Sequence, residues 1–150
     1  MASKNSNTAV VEALSHLLAD NYTLYLKTQN YHWNVTGPHF QQLHQLFQTQ
    51  YEDLAAANDE IAERIRALGE KAPGSFSAYA KLSVIKEEAG SPAYKDILKN
   101  LSKDQDKICE TAHGVLKLAQ EVDDEPTIDM MINRLSVHQK NKWMLEAHLE

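Results

Sequence analysis

The stretch from Asn30 to Gly69, NYHWNVTGPHFQQLHQLFQTQYEDLAAANDEIAERIRALG, decides the fold. Phe40, Leu43, Phe47, Tyr51, Leu54, Asn58, Ile61, Ile65 and Leu68 recur in it at steps of three and four. That spacing keeps one side of a helix apolar for about eight turns and predicts a single long helix. Pro38 suits the first turn of that helix and Gly69 its end. Thr36-Gly37-Pro38 turns the chain, so the helix before it folds back antiparallel. Two histidines, His32 and His44, stand on either side of the turn, and two carboxylates, Asp59 and Glu63, stand near the far end.

These four groups cannot form one site within a single chain. His44 and Asp59 are fifteen residues apart, so on a continuous helix their Cα atoms stand roughly 22 Å apart at 1.5 Å per residue. A metal needs its ligand atoms about 2 Å away. His32 and His44 can meet across the turn, and Asp59 and Glu63 can meet across one helical turn. The chain therefore carries two half-sites, and a complete His/His/Asp/Glu shell requires two chains.

Outward from this stretch, the chain reads as few, long elements, consistent with only five glycines and four prolines in 150 residues. Residues 1–7 are polar and are expected to form a short disordered arm; residues 8–150 are expected to form one domain. Val11, Leu14, Leu17, Leu18, Tyr22, Tyr25 and Leu26 repeat with helical period and predict a helix from Thr8 to Asn34. Residues 69–90, with Pro73, Gly74 and several serines, predict a crossover holding one short helix near Ala78 to Glu87. Ser91 and Pro92 read as the cap and first residue of a third long helix, running to about Val122. Asp123-Asp124-Glu125-Pro126 then opens a fourth, from Thr127 to Leu149. No segment alternates with period two for long enough to be a strand. The expected fold is all-α: a ferritin-like four-helix bundle with a long crossover between its second and third helices.

Charge and cysteine content narrow the function. A net charge of −6 argues against a general binder of nucleic acid or anionic membrane. The single cysteine, Cys109, precludes an internal disulfide and fits a reducing compartment. The polar start carries no signal core and no stretch reaches membrane-spanning length, so a soluble, cytoplasmic protein is expected.

Two imidazoles and two carboxylates suit iron, zinc or manganese. Spacing alone leaves another reading open, in which the histidines are solvated or hydrogen-bonded and Asp59 and Glu63 form a solvated face. Glu110-x-x-His113 matches the motif of metal sites buried inside one ferritin bundle, but those need a second copy, which this chain lacks. Asp123, Asp124, Glu125 and Asp129 cluster at a helix start, where the dipole favours carboxylates. Lys95, Lys99, Lys103 and Lys107 form a stripe interleaved with Asp96, Asp104, Asp106 and Glu110, which predicts a solvated face. Tyr31, Phe47, Tyr51 and Trp143 are expected in the core or an interface.

The run from Tyr31 to His44, with Tyr51 and Asn58-Asp59-Glu60-Ile61-Ala62-Glu63-Arg64-Ile65, resembles the Dps proteins, the miniferritins named as DNA-binding proteins from starved cells. The resemblance extends to Asp129 and Lys142-Trp143-Met144. It implies ferroxidase ligands at His32 and His44 of one subunit and Asp59 and Glu63 of its two-fold mate. It further implies a hollow homo-oligomer of twelve subunits that oxidises Fe(II), preferably with hydrogen peroxide rather than oxygen, and stores the ferric mineral. In it, Trp33 corresponds to a tryptophan that absorbs stray oxidising equivalents, and the segment holding Asp123, Asp124, Glu125 and Asp129 lines a three-fold pore for iron. Many members carry an Asp one turn after the second histidine, where this chain has Gln48. Members that bind DNA often use a basic arm, and this arm has only Lys4. The alternative is a DNA-compacting or purely protective shell with little iron chemistry, associated with the nucleoid.

Overall fold

Each stretch with a three-and-four apolar repeat is a helix in the computed structural model, which describes residues 4–150. The elements are α1 (Lys4–Asn34), α2 (Phe40–Ala67), α3 (Phe76–Leu82), α4 (Tyr94–Glu121) and α5 (Glu125–Ala147). Among the described residues there is no strand. α1 is already helical at Lys4, ahead of the Thr8 boundary expected; residues 1–3 of the polar arm lie outside the described residues.

Cross-helix partners give the topology. Asn21 meets Asn58, Asp20 meets Thr111, Asp53 meets Arg134 and Gln105 meets His138. Together with Tyr31–Asn100 and Arg64–Asp124, these pairs run α1 antiparallel to both α2 and α4, and α5 antiparallel to both as well. α2 and α4 therefore point the same way, and the chain must travel the length of the bundle between them. Residues 68–93 make that journey. The core they enclose draws on Leu14, Leu17 and Leu24 of α1, Phe47, Leu54 and Ile61 of α2, Leu98, Leu101 and Ile108 of α4, and Met131 and Leu145 of α5, all fully buried. Each contributes about 1.5–3 kcal/mol of burial.

The helix ends are built locally. Gly69 adopts φ +99°, its N–H donates to Arg66 O, and that of Glu70 donates to Ile65 O; this left-handed close stops α2. Asp123 does the same for α4 at φ 55°, with Asp124 N–H donating to Ala119 O. Gly37, at φ +116°, makes the α1–α2 turn against the Tyr94 ring.

Two expected boundaries are corrected. The short helix covers Phe76–Leu82 rather than Ala78 to Glu87, because Ser75 caps it by accepting from Ala78 N–H and Asp20 seizes the chain directly afterwards. The buried Asp20 carboxylate accepts from Ser83 Oγ at 2.9 Å, Val84 N–H at 2.8 Å and Thr111 Oγ1 at 2.7 Å. Those bonds hold residues 83–84 in a form that no helix can continue through. α4 takes Ala93, not Ser91, as its cap and makes no side-chain cap bond. Its start is set by Tyr94, whose ring packs on Gly37 and on His39 at 5.7 Å.

Candidate metal centre

His32 lies in the last turn of α1 and His44 in the second turn of α2, and the Gly37 turn brings them face to face. Their rings stack with centroids 3.8 Å apart and planes 13° from parallel. His32 Nδ1 lies 2.7 Å from His44 O, and His44 Nδ1 lies 2.7 Å from His32 O. A carbonyl oxygen only accepts, so each Nδ1 carries the proton and donates. Each histidine thereby fixes the other's tautomer and leaves both Nε2 lone pairs available. That is the tautomer in which imidazole ligates a metal, with a carbonyl behind it to fix the ring's orientation. Phe40 stacks on His44 at 5.1 Å and Tyr51 meets His32 edge-on at 5.1 Å, which completes the cradle. His32 is buried and His44 half-buried.

Asp59 and Glu63 occupy a different setting. Both are exposed on α2, and neither is held by a hydrogen bond or ion pair among the described residues. The helix beside them is anchored by Asn21, whose Nδ2 donates to the Asn58 side-chain Oδ1 at 2.8 Å and to Leu54 O at 2.9 Å. Among the described residues no group of three or more His, Cys, Asp or Glu comes together to hold a metal. The structure thus brings together His32 with His44 and leaves the carboxylates elsewhere, as helix length requires. Gln48 turns away from His44, its Nε2 donating to Glu52 Oε1 at 2.9 Å. Trp33 is 58% exposed beside the pair.

The other candidates fall into place. Glu110 and His113 are both exposed on α4, so they are not an interior metal motif. Asp124 caps α5 by accepting from Thr127 N–H and pairs with Arg64 at 2.7 Å, whereas Asp123, Glu125 and Asp129 are exposed. Asp104, expected on a solvated face, is instead buried and paired with Lys27 at 2.7 Å. Burial pushes its carboxyl up and Lys27 pulls it back. Asp106 bonds Lys142 at 2.7 Å. Tyr31 and Phe47 are core residues, and Trp143 is 66% exposed. Tyr31 bonds Glu88 of the crossover, and burial, then that bond, raises its phenol well above the usual range.

One interior histidine escaped the sequence reading. His138 is fully buried, with Nδ1–H donating to Gln105 Oε1 at 2.8 Å and Nε2 accepting from Arg134 Nη2 at 3.2 Å. Arg134 also clasps Asp53 with both nitrogens, at 3.2 and 3.0 Å. Burial foremost, and then Arg134, lower the His138 pKa to about 3. Arg134 and His138 are four residues apart on α5, and that pairing was the one available signal.

The ferritin-like domain family matches residues 11–150. A DNA protection during starvation protein of Porphyromonas gingivalis is 40% identical over 139 residues, spanning 93% of this chain and 87% of that protein. The crystal structure of a Dps protein from Vibrio cholerae O1, described as a member of a broad superfamily of ferritin-like diiron-carboxylate proteins, superposes with a TM-score of 0.95. It is 34% identical and covers 99% of this chain and 94% of that one. Antigen TpF1 of Treponema pallidum gives a TM-score of 0.96 at 32% identity, covering 100% and 97%. These matches define a ferritin-like four-helix protein. Within that class the chain belongs to the Dps family. No helix among the described residues is long and apolar enough to cross a membrane.

Proposed function

We propose that this protein is a ferroxidase and iron-storing miniferritin of the cytoplasm, a single ferritin-like domain over residues 8–150 that assembles as a dodecamer. The observation that carries this reading is the reciprocal His32–His44 pair, with both Nε2 lone pairs free and no carboxylate of the same chain near them. His44, Gln48, Glu52, Ala55, Asp59 and Glu63 follow one stripe of α2 at steps of three and four. A two-fold axis crossing that stripe near Glu52 and Ala55 would lay Asp59 and Glu63 of one subunit against His32 and His44 of the other. An isologous contact of this kind makes two equivalent sites per dimer. The exposed apolar residues Leu26, Trp33 and Phe76, which line one groove, would supply surface for such a contact.

Iron is the substrate here. The carboxylates favour Fe(III) over Fe(II) and lower the barrier to oxidation, while the Nε2 atoms of the imidazoles hold the incoming Fe(II). Zinc or manganese fits the same ligands. Two Fe(II) held together would give peroxide two electrons and yield water without a free radical. Trp33, exposed and next to His32 in the sequence, would take up a stray oxidising equivalent or pack at the contact. The exposed Asp123, Glu125 and Asp129 would draw Fe(II) towards the shell, with Asp124 holding their segment in shape. Direct DNA binding is not part of this reading, given the net charge of −6.

The test is stopped-flow oxidation of Fe(II) by peroxide and by oxygen at equal concentrations, followed by sizing of the protein with its retained iron. Faster turnover with peroxide and iron co-eluting with a twelve-chain shell are expected. Iron oxidation no faster than in buffer with either oxidant would refute the reading.

A further inference from the structure

Five polar atoms in the middle of the bundle have no hydrogen-bond partner among the described residues: Thr28 Oγ1, Gln50 Nε2 and Oε1, Arg134 Nε and Asn141 Nδ2. Their residues are at most 8% exposed. A buried polar group left unpaired is costly, and native interiors hold few of them. Exchanging the two ends of the Gln50 amide would not help, because both lack a partner. Bonded neighbours place these groups close to one level. Asn21 meets Leu54 and Asn58, so Thr28, two turns further along α1, stands opposite the part of α2 that holds Gln50. Asp53 meets Arg134, so Asn141, two turns further along α5, stands about one turn from Gln50. α2 and α5 also come less close along their length than α1 and α2, α4 and α5, or α1 and α4. What spans them is long side chains, Arg134 to Asp53 and Arg64 to Asp124.

We propose that the seam between α2 and α5 is a buried binding site for water, in which ordered molecules bridge Gln50 and Asn141 and complete the hydrogen bonds of Thr28 and Arg134. The donor set selects water. Gln50 Nε2, Asn141 Nδ2 and Arg134 Nε only donate, Gln50 Oε1 only accepts, and the Thr28 hydroxyl does both. A cation would face three N–H donors and the Arg134 charge. An anion would face Gln50 Oε1, and the Arg134 charge that could attract it is already taken by the Asp53 carboxylate. A water molecule answers donors and acceptors alike, and a buried one makes about three hydrogen bonds. The Asp53 side chain is 38% exposed, which gives these molecules a way in from solvent. Water here stands in for the direct packing that α2 and α5 lack, and ties the α1–α2 hairpin to α5 by directional bonds. The site stands whether or not the protein oxidises iron.

The test is a high-resolution crystal structure of the protein grown with sodium bromide and recorded at the bromine edge. Water density within hydrogen-bond distance of both Gln50 and Asn141 is expected, with no anomalous peak. A bromide peak there would overturn the assignment, and so would Gln50 and Asn141 bonded directly to each other in a dry seam. In solution, oxygen-17 relaxation dispersion counts long-lived buried waters. Gln50→Leu removes the amide at similar volume and should lower that count by roughly one or more per subunit. Asn141→Leu removes the other side of the bridge, and the same drop is expected if Gln50→Leu does not fold. An unchanged count in a folded variant overturns the site.

Discussion

His32 and His138 are both buried histidines whose Nδ1–H is committed to an oxygen, and the fate of Nε2 separates them. At His138 that lone pair is closed off by Arg134, itself bound to Asp53, so the ring's hydrogen bonds are satisfied within one chain. At His32 and His44 it is left free, at an edge of the bundle with no carboxylate of the same chain beside it. Burial therefore does not separate His138 from the proposed ligand His32; the occupancy of the second nitrogen does. The middle of the bundle, where ferritin-type motifs place a metal, is here tied by Lys27–Asp104 and Arg134–Asp53. On the proposed reading, metal chemistry moves to the surface and to a second copy of the chain.

The sharpest way to break this comparison is to truncate both histidines. His44→Ala should lower Fe(II) oxidation on the order of 100-fold, since even groups behind metal ligands are worth 10–100-fold, while circular dichroism and shell size stay unchanged. His138→Ala should leave oxidation per assembled shell as it was and destabilise the fold by about 3 kcal/mol, measured by urea unfolding. Loss of oxidation in intact His138→Ala shells would collapse the distinction.

Arg134→Leu probes the interior from the other side. It strips the His138 Nε2 and Asp53 of their donor, and a loss of about 3 kcal/mol is expected. Part of the usual penalty is spared because the Asp53 side chain is 38% exposed. Iron binding by calorimetry should not change.

His138 also gives the fold a specific acid response. Its pKa is near 6.5 when unfolded and about 3 when folded. Between those values the unfolded chain binds a proton that the folded chain refuses, so stability falls as pH drops from 6.5 towards 3. The slope reaches about 1.4 kcal/mol per pH unit. His138→Gln should remove that component, bringing the urea midpoints at pH 7 and pH 4.5 closer together than in wild type. An unchanged gap would mean that His138 is not held neutral.

The smallest effect is expected at Gln48→Asp. A charged oxygen one turn from His44 should tighten the second iron position and raise the stoichiometry from one towards two irons per site in calorimetric titration. Identical titrations would show that Gln48 is not what weakens that position.

The four long helices and their crossover were legible because Phe47, Leu54, Ile61 and their counterparts repeat with the period of a helix. The separation of the His32–His44 pair from Asp59 and Glu63 was legible from length alone, since no side chain bridges fifteen residues of helix. α3 was misplaced because none of its residues is buried, so it carries no apolar stripe, and its true stop depends on Asp20, more than sixty residues earlier in the chain. Asp104 misled for a related reason: whether a carboxylate in a lysine stripe faces solvent or Lys27 depends on where α1 lies. His138 was missed because one of its partners, Gln105, comes from α4 and the other, Arg134, is itself anchored by Asp53 of α2. The exchange of hydrogen bonds between His32 and His44 follows from the exact pitch of one turn, which the sequence implies only as proximity.

The central claim is that each site is shared between two chains, and complementation tests it most directly. One variant carries His32→Ala and His44→Ala, another Asp59→Ala and Glu63→Ala; each should assemble and oxidise Fe(II) slowly. Unfolding and refolding an equal mixture makes about half the dimers mixed, and each mixed dimer has one site with all four ligands and one with none. Oxidation should return to roughly a quarter of the wild-type rate. Shells shown by mass spectrometry to be mixed, yet no faster than either variant, would contradict the shared site.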